Sequence, residues 1–282
     1  MQHTEGTFTA SDGATLFTQS WQPDVEPLAT LVIVHGYGEQ SGRYANVVNR
    51  LVPEGFALHS FDLRGHGRSP GQRGYINSWA DYRDDVGVFL QLTARNTPGL
   101  RLFLYGHSMR SLIVLDYALH RPDGLAGVIA SAPSLGKLGI PAPLLALSRA
   151  ISKVWPTFAM KSGLDAAQIS RDHAVVDAYR ADPLVHDTGS ARLGSEIGVA
   201  QDWAQAHAAD LHLPLLVIQG GADAITAPAD TQRFYQYAGS TDKCLLLFED
   251  AYHEVHNDIG CEQALQQMSA WLHAHLNGHV AA

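Results

Sequence analysis

Short, nearly uninterrupted runs of apolar residues recur along the chain and alternate with segments of helical spacing. Such runs predict strands that are buried on both faces, as in a parallel sheet. The predicted strands are Thr30–Val34, Ala57–Phe61, Leu102–Tyr105, Gly127–Ser131, Leu215–Ile218 and Leu245–Phe248. The predicted helices are Tyr44–Leu51, Trp79–Thr93, Ser111–Leu119, Thr231–Tyr237 and Cys261–Leu276. This alternation indicates an α/β fold with a doubly wound, mostly parallel sheet.

Two regions depart from the alternation. Gly6–Trp21 alternates polar and apolar residues around the turn Ser11–Gly13, which predicts an antiparallel hairpin at a sheet edge. Residues 134–213 contain helical patterns and no predicted strand. The helices expected there are Pro143–Val154, Ala174–Arg180 and Gly194–Ala209. We therefore predict a core formed by residues 1–133 and 214–282, with a helical insertion at residues 134–213.

Two segments resemble the nucleophile-elbow pattern G-x-S-x-G. Gly67–Gly71 matches it completely, but Pro70 follows Ser69 and has no N–H to donate to an oxyanion. Gly106–Arg110 lacks the last glycine, yet a buried strand precedes Ser108 and a buried helix follows it. This context predicts that Ser108 is a nucleophile and that Ser69 belongs to a structured loop. The alternative is that Ser108 merely caps a helix.

A serine nucleophile needs a neutral imidazole as base and a carboxylate that orients this imidazole. Asp223 and His253 follow later predicted strands, in the chain order serine, acid, histidine. Both positions lie beyond the carboxyl ends of strands, where open α/β sheets bind their ligands. The sequence therefore predicts a triad of Ser108, Asp223 and His253. The competing candidates are Asp230 and Asp250 for the acid and His256 for the base.

An oxyanion hole requires two backbone N–H groups. One follows the nucleophile, and the other comes from the loop after an early strand. Met109 and Tyr37 occupy these positions, because His35–Gly38 directly follows the strand Thr30–Val34. We expect the N–H groups of Tyr37 and Met109 to form the hole, and we expect His35 to brace the loop.

The composition and the net charge of the chain bear on its binding partners and its compartment. The chain has 282 residues, 46% of them hydrophobic and 17% charged, with a formal net charge of -9 that disfavours nucleic acid. Two cysteines, Cys244 and Cys261, are too few for a disulfide framework. The first residues contain no secretion signal, and the longest apolar stretch is interrupted by prolines and charges, so we expect a cytoplasmic protein without a membrane span.

The histidines do not predict a metal site, although the chain has 15 of them. His253 and His256 are three positions apart, whereas a zinc-binding helix needs histidines at i and i+4. A glycine-rich dinucleotide-binding turn is absent as well, since Gly65-His66-Gly67 continues into Arg68 and Pro70. We therefore expect no metal and no cofactor.

Several motifs together resemble the α/β-hydrolases of the monoacylglycerol lipase and lysophospholipase type, and the resemblance covers nearly the whole chain. The motifs are His35–Glu39 with Ser41–Tyr44, Asp62–Ser69, Gly106–Met109, Gly220–Asp223 and Tyr252–Glu254. The resemblance implies the α/β-hydrolase fold and a cap, formed by the helical insertion, that offers an apolar tunnel to one acyl chain. Within the insertion, Leu138–Leu147 is a candidate for the tunnel lining, for transient membrane contact or for ordinary cap core.

The expected function is hydrolysis of carboxylic esters, on monoacylglycerols or similar single-chain lipids, through an acyl-enzyme. The alternatives are a thioesterase or acyltransferase with the same triad, and a catalytically weak lipid-binding relative. The last alternative arises because Arg110 and Ser111 replace two glycines of the family pattern, and Gln40 replaces a histidine. We expect the Arg110 guanidinium to reach solvent, a carboxylate or a carbonyl, and thereby to disturb the packing around Met109.

Overall fold

Eight strands form one mixed sheet in this computed structural model, which describes residues 1–136 and 149–276. Their order across the sheet is β1-β2-β4-β3-β5-β6-β9-β10, and β7 pairs with β8 in a separate two-stranded sheet. The strands are β1 Gln2–Thr9, β2 Thr15–Gln22, β3 Ala29–Val34, β4 Phe56–Phe61, β5 Arg101–His107, β6 Leu125–Ser131, β7 Ala159–Lys161, β8 Thr188–Ser190, β9 Leu215–Gly220 and β10 Lys243–Phe248. Each strand predicted for the core lies within an observed one.

The amino-terminal hairpin forms one edge of the large sheet, as predicted. β1 pairs antiparallel with β2 from Gln2↔Gln22 to Thr9↔Thr15. β2 is also antiparallel to β4, whereas the remaining neighbours in this sheet are parallel. The predicted α/β class with a mostly parallel sheet is therefore confirmed.

Within the described residues, seven α-helices are numbered α1 to α7. They are α1 Ala45–Leu51, α2 Trp79–Asn96, α3 Met109–His120, α4 His173–Ala181, α5 Ala191–Ala206, α6 Pro228–Tyr237 and α7 Cys261–Ala274. Short 3-10 turns occur at Ser41–Tyr44, Val52–Glu54, Ala166–Gln168 and Ala208–Asp210. Residues 149–154 are also helical, but the start of the predicted helix Pro143–Val154 and the segment Leu138–Leu147 lie outside the described residues.

Apolar side chains cover both faces of the sheet, which explains why its strands are continuous apolar runs. Val32 and Val34 of β3 pack in a cluster with α2 and α3, whereas Leu31 and Ile33 pack with α1 and α7 on the opposite face. All four side chains are fully buried. Alternation along a strand thus sends successive residues into two separate cores.

The expectation that residues 134–213 contain no strand is wrong. β7 and β8 lie in this segment and pair antiparallel through Ala159↔Ser190, Met160↔Gly189 and Lys161↔Thr188. Each has only three residues, and β7 is largely exposed, so neither produces an apolar alternation. Contacts outside the segment stabilise β8, because the Ser190 N–H donates to the Gly74 carbonyl at 2.9 Å.

The loops after β3, β5, β9 and β10 meet at one edge of the sheet, because these strands are parallel and their carboxyl ends lie together. The candidate site residues of the sequence lie on these four loops. Among the described residues, no helix combines the length and apolar character that a membrane crossing requires.

Gly106 allows β5 to turn sharply into α3, and its replacement tests this packing. An added Cβ would lie 2.6 Å from the Arg110 carbonyl oxygen and 2.7 Å from Val114 Cγ2. We expect Gly106→Ala to lower the free energy of unfolding by about 2–3 kcal/mol, since backbone must shift to admit the methyl group. Urea denaturation measures this loss.

Gly198→Ala is the matched control for Gly106→Ala. Gly198 lies in α5, and its added Cβ would meet no atom within 4 Å. We expect this variant to be as stable as the wild type or more stable by up to about 1 kcal/mol, because alanine favours the helix. Equal losses in both variants would contradict the packing explanation.

Candidate active site

Ser108 occupies a strained turn between β5 and α3. Its φ is 59° and its ψ is -130°, a region that side-chain-bearing residues rarely adopt. The Ser108 N–H donates to the Ser131 carbonyl at 2.8 Å, and the Ser108 carbonyl accepts from the Ser134 N–H at 3.2 Å. Backbone hydrogen bonds on both sides hold this conformation, which directs the hydroxyl away from the sheet edge as in a nucleophile elbow.

The three residues of the predicted triad lie in hydrogen-bond contact. His253 Nε2 is 2.8 Å from Ser108 Oγ, and His253 Nδ1 is 2.8 Å from Asp223 Oδ2. All three residues are buried. Such a chain can transfer the hydroxyl proton to the imidazole while the carboxylate fixes the orientation of the ring.

The competing acids and base lie elsewhere. Asp230 is paired with Arg233 in α6, and Asp250 is exposed in the loop after β10. His256 is buried with its ring stacked on Tyr44 at 5.0 Å between centroids. None of the three contacts Ser108 among the described hydrogen bonds.

Asp223 is held as a carboxylate by a complete set of donors. Its Oδ1 accepts from the N–H groups of Ile225 and Thr226 at 2.8 and 2.9 Å, and its Oδ2 accepts from the Thr226 hydroxyl at 2.7 Å. Burial raises the pKa of Asp223, but His253 and Thr226 outweigh this effect and lower that pKa to about 2. Asp223 is therefore ionised at any pH where the protein is expected to work.

Two further buried histidines lie near His253, namely His107 and His256. The sequence offered His256 as a competing base and assigned no role to His107. The His107 ring lies 4.7 Å from the His253 ring and 4.8 Å from the His256 ring, between centroids. Burial lowers the pKa of His107 well below its usual value and lowers the pKa of His256 to about 3. Both rings are thus neutral near pH 7, and no neighbouring imidazolium opposes a positive charge on His253.

The two N–H groups predicted for the oxyanion hole lack a protein acceptor among the described residues. Met109 is the first residue of α3, where helix geometry leaves its N–H free, and Tyr37 follows Gly36 in the loop after β3. His35 braces this loop as expected, since its Nε2 accepts from the Leu63 N–H at 3.0 Å.

An ion-pair network that sequence reasoning missed joins the loop after β3 to the loop that carries His253. Arg43 donates two hydrogen bonds to Glu254 at 2.7 and 2.9 Å and also pairs with Glu39. Burial raises the pKa of Glu39, whereas for Glu254 the paired Arg43 overcomes burial and lowers the pKa. Two features of the sequence could have indicated this network. Glu254 directly follows His253, and Glu39 lies four residues before Arg43.

Arg110 departs from the expectation for its guanidinium, which contacts neither solvent nor a carboxylate nor a carbonyl oxygen among the described residues. The side chain is fully buried. Nη2 lies 2.8 Å from His66 Nε2, Nη1 lies 3.3 Å from Met109 Sδ, and the guanidinium carbon is 4.9 Å from the centre of the Tyr82 ring. A neutral imidazole and an aromatic face attract the cation without pairing its charge.

Ser111, the second departure from the glycine pattern, is well satisfied. Its hydroxyl lies 2.7 Å from the Gly106 carbonyl oxygen and 2.8 Å from the Ser131 carbonyl oxygen. It thus bonds the start of α3 to the ends of β5 and β6.

Ser69 lies in a different environment, in keeping with the predicted structural loop. Its hydroxyl accepts from the Phe17 N–H at 2.9 Å and donates to the Asp62 carbonyl. The first contact joins the loop after β4 to β2, and the second lies within that loop. Among the described hydrogen bonds, no histidine ring contacts the Ser69 hydroxyl.

Next to Ser108 lies a partly open cavity of about 20 Å³, enough for one water molecule. The loops at the sheet edge provide most of its lining, and Leu164, Ile169 and Tyr179 from the segment between β6 and β9 provide the remainder. No cluster of three or more metal-ligating side chains occurs within residues 1–136 and 149–276.

Comparison with known proteins assigns the family. The family model described as serine aminopeptidase, S33, matches residues 25–260. The chain belongs to this family. It is 32% identical to a monoacylglycerol lipase of Mycolicibacterium smegmatis, in an alignment that covers 96% of this chain and 98% of the relative. It is also 33% identical to an uncharacterized abhydrolase domain-containing protein of Dictyostelium discoideum, of which it spans only 28%.

A solved structure agrees with this assignment. The crystal structure of Paleococcus ferrophilus monoacylglycerol lipase is 32% identical, with a TM-score of 0.83 and coverage of 98% of this chain and 100% of that one. The predicted α/β-hydrolase fold and family resemblance are therefore confirmed. The protein is a lipase- or esterase-like α/β-hydrolase related to monoacylglycerol lipases.

The low pKa of Asp223 predicts how the loss of stability on its replacement depends on pH. Its folded pKa of about 2 lies below the usual value near 3.9, so its stabilisation is complete above about pH 5 and is lost as pH falls toward 2. We expect Asp223→Asn to lower the free energy of unfolding by about 2 kcal/mol at pH 6 and by much less at pH 2.5. Urea denaturation at the two pH values measures this difference.

Asp123→Asn serves as the control, because Asp123 is exposed in the loop before β6. We expect it to change stability little at either pH. A loss in Asp223→Asn that stays constant from pH 6 to pH 2.5 would show that the carboxylate charge is not what stabilises this position.

Proposed function

We propose that this protein hydrolyses the carboxylic ester of monoacylglycerols or similar single-chain lipids through an acyl-enzyme. The observation that carries the proposal is the contact of His253 with both Ser108 and Asp223 at 2.8 Å, next to two unoccupied N–H groups. The relationship to monoacylglycerol lipases along nearly the full chain supports the substrate class.

In the proposed reaction, Ser108 Oγ attacks the ester carbonyl carbon as His253 Nε2 accepts the hydroxyl proton. The carbonyl oxygen becomes an oxyanion, which the N–H groups of Tyr37 and Met109 bind. Collapse of the tetrahedral intermediate expels the alcohol, which takes the proton from His253. Water then attacks the acyl-enzyme by the same route and releases the fatty acid. Asp223 keeps the His253 ring oriented and stabilises its positive charge.

A neutral polyol head group fits the polar lining beside His253. Glu39 and Glu254 are among the residues that line the cavity, and both pair with Arg43, whose guanidinium carbon lies 4.6 Å from the ring centre of Tyr179. The described lining contains no lysine or arginine that could bind an anionic phosphate, and its two glutamates share one guanidinium. We therefore assign monoacylglycerol, rather than an anionic lysolipid, as the preferred substrate.

We propose that residues 134–213 form a cap over a core of residues 1–133 and 214–282. Leu164, Ile169 and Tyr179 of this segment line the cavity above Ser108, which supports the assignment. Because the cavity of about 20 Å³ is far too small for an acyl chain, these side chains must move when substrate enters.

The same segment carries an exposed apolar surface that suits transient contact with a bilayer. Val154 is 88% exposed, Trp155 60% and Met160 64%. Lys153 and Lys161 flank them and are exposed, although the protein as a whole is acidic. An aromatic ring among aliphatic side chains and lysines is typical of interfacial binding to anionic lipid.

Replacing the two candidate serines tests the mechanism. We expect Ser108→Ala to lower kcat on a short p-nitrophenyl ester and on a monoacylglycerol by a factor on the order of 10⁴ or more, because the nucleophile is lost. A serine-directed phosphonate, followed by peptide mapping, should label the wild type at Ser108 and leave the variant unlabelled.

Ser69→Ala is the matched control. We expect it to lose about 1–2 kcal/mol of stability, since the Phe17 N–H loses its acceptor, while kcat per folded molecule is retained. An inactive Ser69→Ala variant beside an active Ser108→Ala variant would refute the assignment. A wild type that cleaves short esters but no monoacylglycerol would refute the substrate class alone.

Removing the exposed apolar side chains tests membrane contact. We expect the double variant Trp155→Ser, Met160→Ser to bind anionic phospholipid vesicles at least about tenfold more weakly than the wild type in a flotation assay, because it loses the inserted apolar area. Tyr237→Ser, at a residue of α6 that is 62% exposed, is the control and should bind as the wild type does. Equal binding of all three proteins would contradict the proposed surface.

A further inference from the structure

Arg110 is a buried cation with no ion-pair partner among the described residues. It is the largest fully buried side chain, and its Nε has no hydrogen-bond partner there. Burial of an uncompensated charge costs substantial free energy, so a neutral side chain of similar volume would stabilise the fold better. Packing alone therefore does not explain an arginine at this position.

The histidines around Arg110 are neutral, so the guanidinium supplies the positive charge of this region. His66 Nδ1 lies 3.0 Å from the Arg64 carbonyl oxygen, which leaves Nε2 as the acceptor for Arg110. Burial lowers the pKa of His66 well below its usual value and lowers the pKa of His35 and of His186 to about 4. Burial lowers the pKa of Arg110 also, but arginine starts above 12 and keeps its proton.

This charge lies beside the side chains of the two residues that are proposed to form the oxyanion hole. Arg110 follows Met109 in the chain, and its Nη1 contacts the Met109 sulfur at 3.3 Å. Its guanidinium carbon is 5.9 Å from the centre of the Tyr37 ring. Met109 and Tyr37 are the residues whose N–H groups face the ester oxygen in the proposed mechanism. Because Arg110 is fully buried, little water screens its charge from a negative charge that develops in the hole.

We propose that Arg110 is a fixed positive charge next to Met109 and Tyr37. Its electrostatic field stabilises the transition-state oxyanion, and its side chain does not touch the substrate. The inference rests on the proposed ester hydrolysis. It makes Arg110 a positioning residue whose electrostatic field is directed at the charge that develops during the reaction. It also explains why the chain tolerates a residue that burial disfavours.

Arg110→Met separates charge from packing, because methionine is long and flexible and has no charge. We expect this variant to hydrolyse a p-nitrophenyl ester with a kcat roughly 10- to 100-fold lower and a KM changed less than about threefold. Its thermal midpoint should equal that of the wild type or exceed it, since an unpaired buried charge has been removed. Activity and stability are thus expected to move apart.

A boronic acid gives a readout that does not depend on turnover. Ser108 Oγ forms a bond to the trigonal boron, its proton passes to His253, and the boron becomes a tetrahedral anion that resembles the oxyanion intermediate. We expect the inhibition constant of a phenylboronic acid to rise in Arg110→Met by about the same factor as kcat falls. Arg110→Lys retains a charge and should keep more affinity than Arg110→Met.

Arg233→Met is the control for the change in net charge, because Arg233 is half exposed in α6 and pairs with Asp230. It should leave kcat and the inhibition constant unchanged. Wild-type kinetics in Arg110→Met, a parallel loss of its stability and activity, or equally weak boronate binding in Arg110→Lys and Arg110→Met would overturn the inference. A wild type that neither cleaves esters nor binds the boronic acid would instead overturn the proposed function.

Discussion

The left-handed backbone of Ser108 is the constraint on which the rest of the site depends. A residue with a side chain adopts φ near 59° only where its surroundings enforce it. Here a buried strand ends and a buried helix begins within two residues, and Gly106 leaves room for the Arg110 carbonyl and the Val114 side chain to approach. The strained turn places the hydroxyl beside His253 and leaves the Met109 N–H without a partner. A single backbone feature thus positions both the proposed nucleophile and half of the proposed oxyanion hole.

Burial acts differently on the charged groups around this turn. Asp223 stays ionised because His253 and the hydrogen bonds from Thr226 outweigh its burial and lower its pKa. Arg43 compensates two buried carboxylates at once and thereby ties the loop after β3 to the histidine loop. The imidazoles of His107 and His256 lose their protons instead. The positive charge that His253 gains in the proposed reaction therefore meets a carboxylate on one side and neutral rings on the other.

The segment between β6 and β9 makes hydrogen bonds to the loop after β3, which carries Tyr37. The Tyr37 hydroxyl donates to the Thr188 carbonyl at 2.6 Å, and the His186 N–H donates to the Gly38 carbonyl at 2.7 Å. These bonds connect the loop whose N–H is proposed to bind the oxyanion with β8 and with the residues just before β8. Any displacement of this segment that admits substrate must preserve or exchange them. If the segment moves as proposed, substrate entry and the geometry of the loop after β3 are linked through these two hydrogen bonds.

The sequence alone determined the sheet, its hairpin edge and the loops that carry Ser108, Asp223 and His253, because apolar runs and chain order report burial and topology directly. It did not reveal β7 and β8, which are three residues long and depend on contacts with distant loops. The sequence also did not reveal which residues contact Arg110. His66 and Tyr82 approach Arg110 only after the strands and helices pack. A contact between a cation and an aromatic face produces no recognisable spacing in the sequence. Local patterns decide where the chain is buried, whereas the tertiary structure decides which buried charges find a partner.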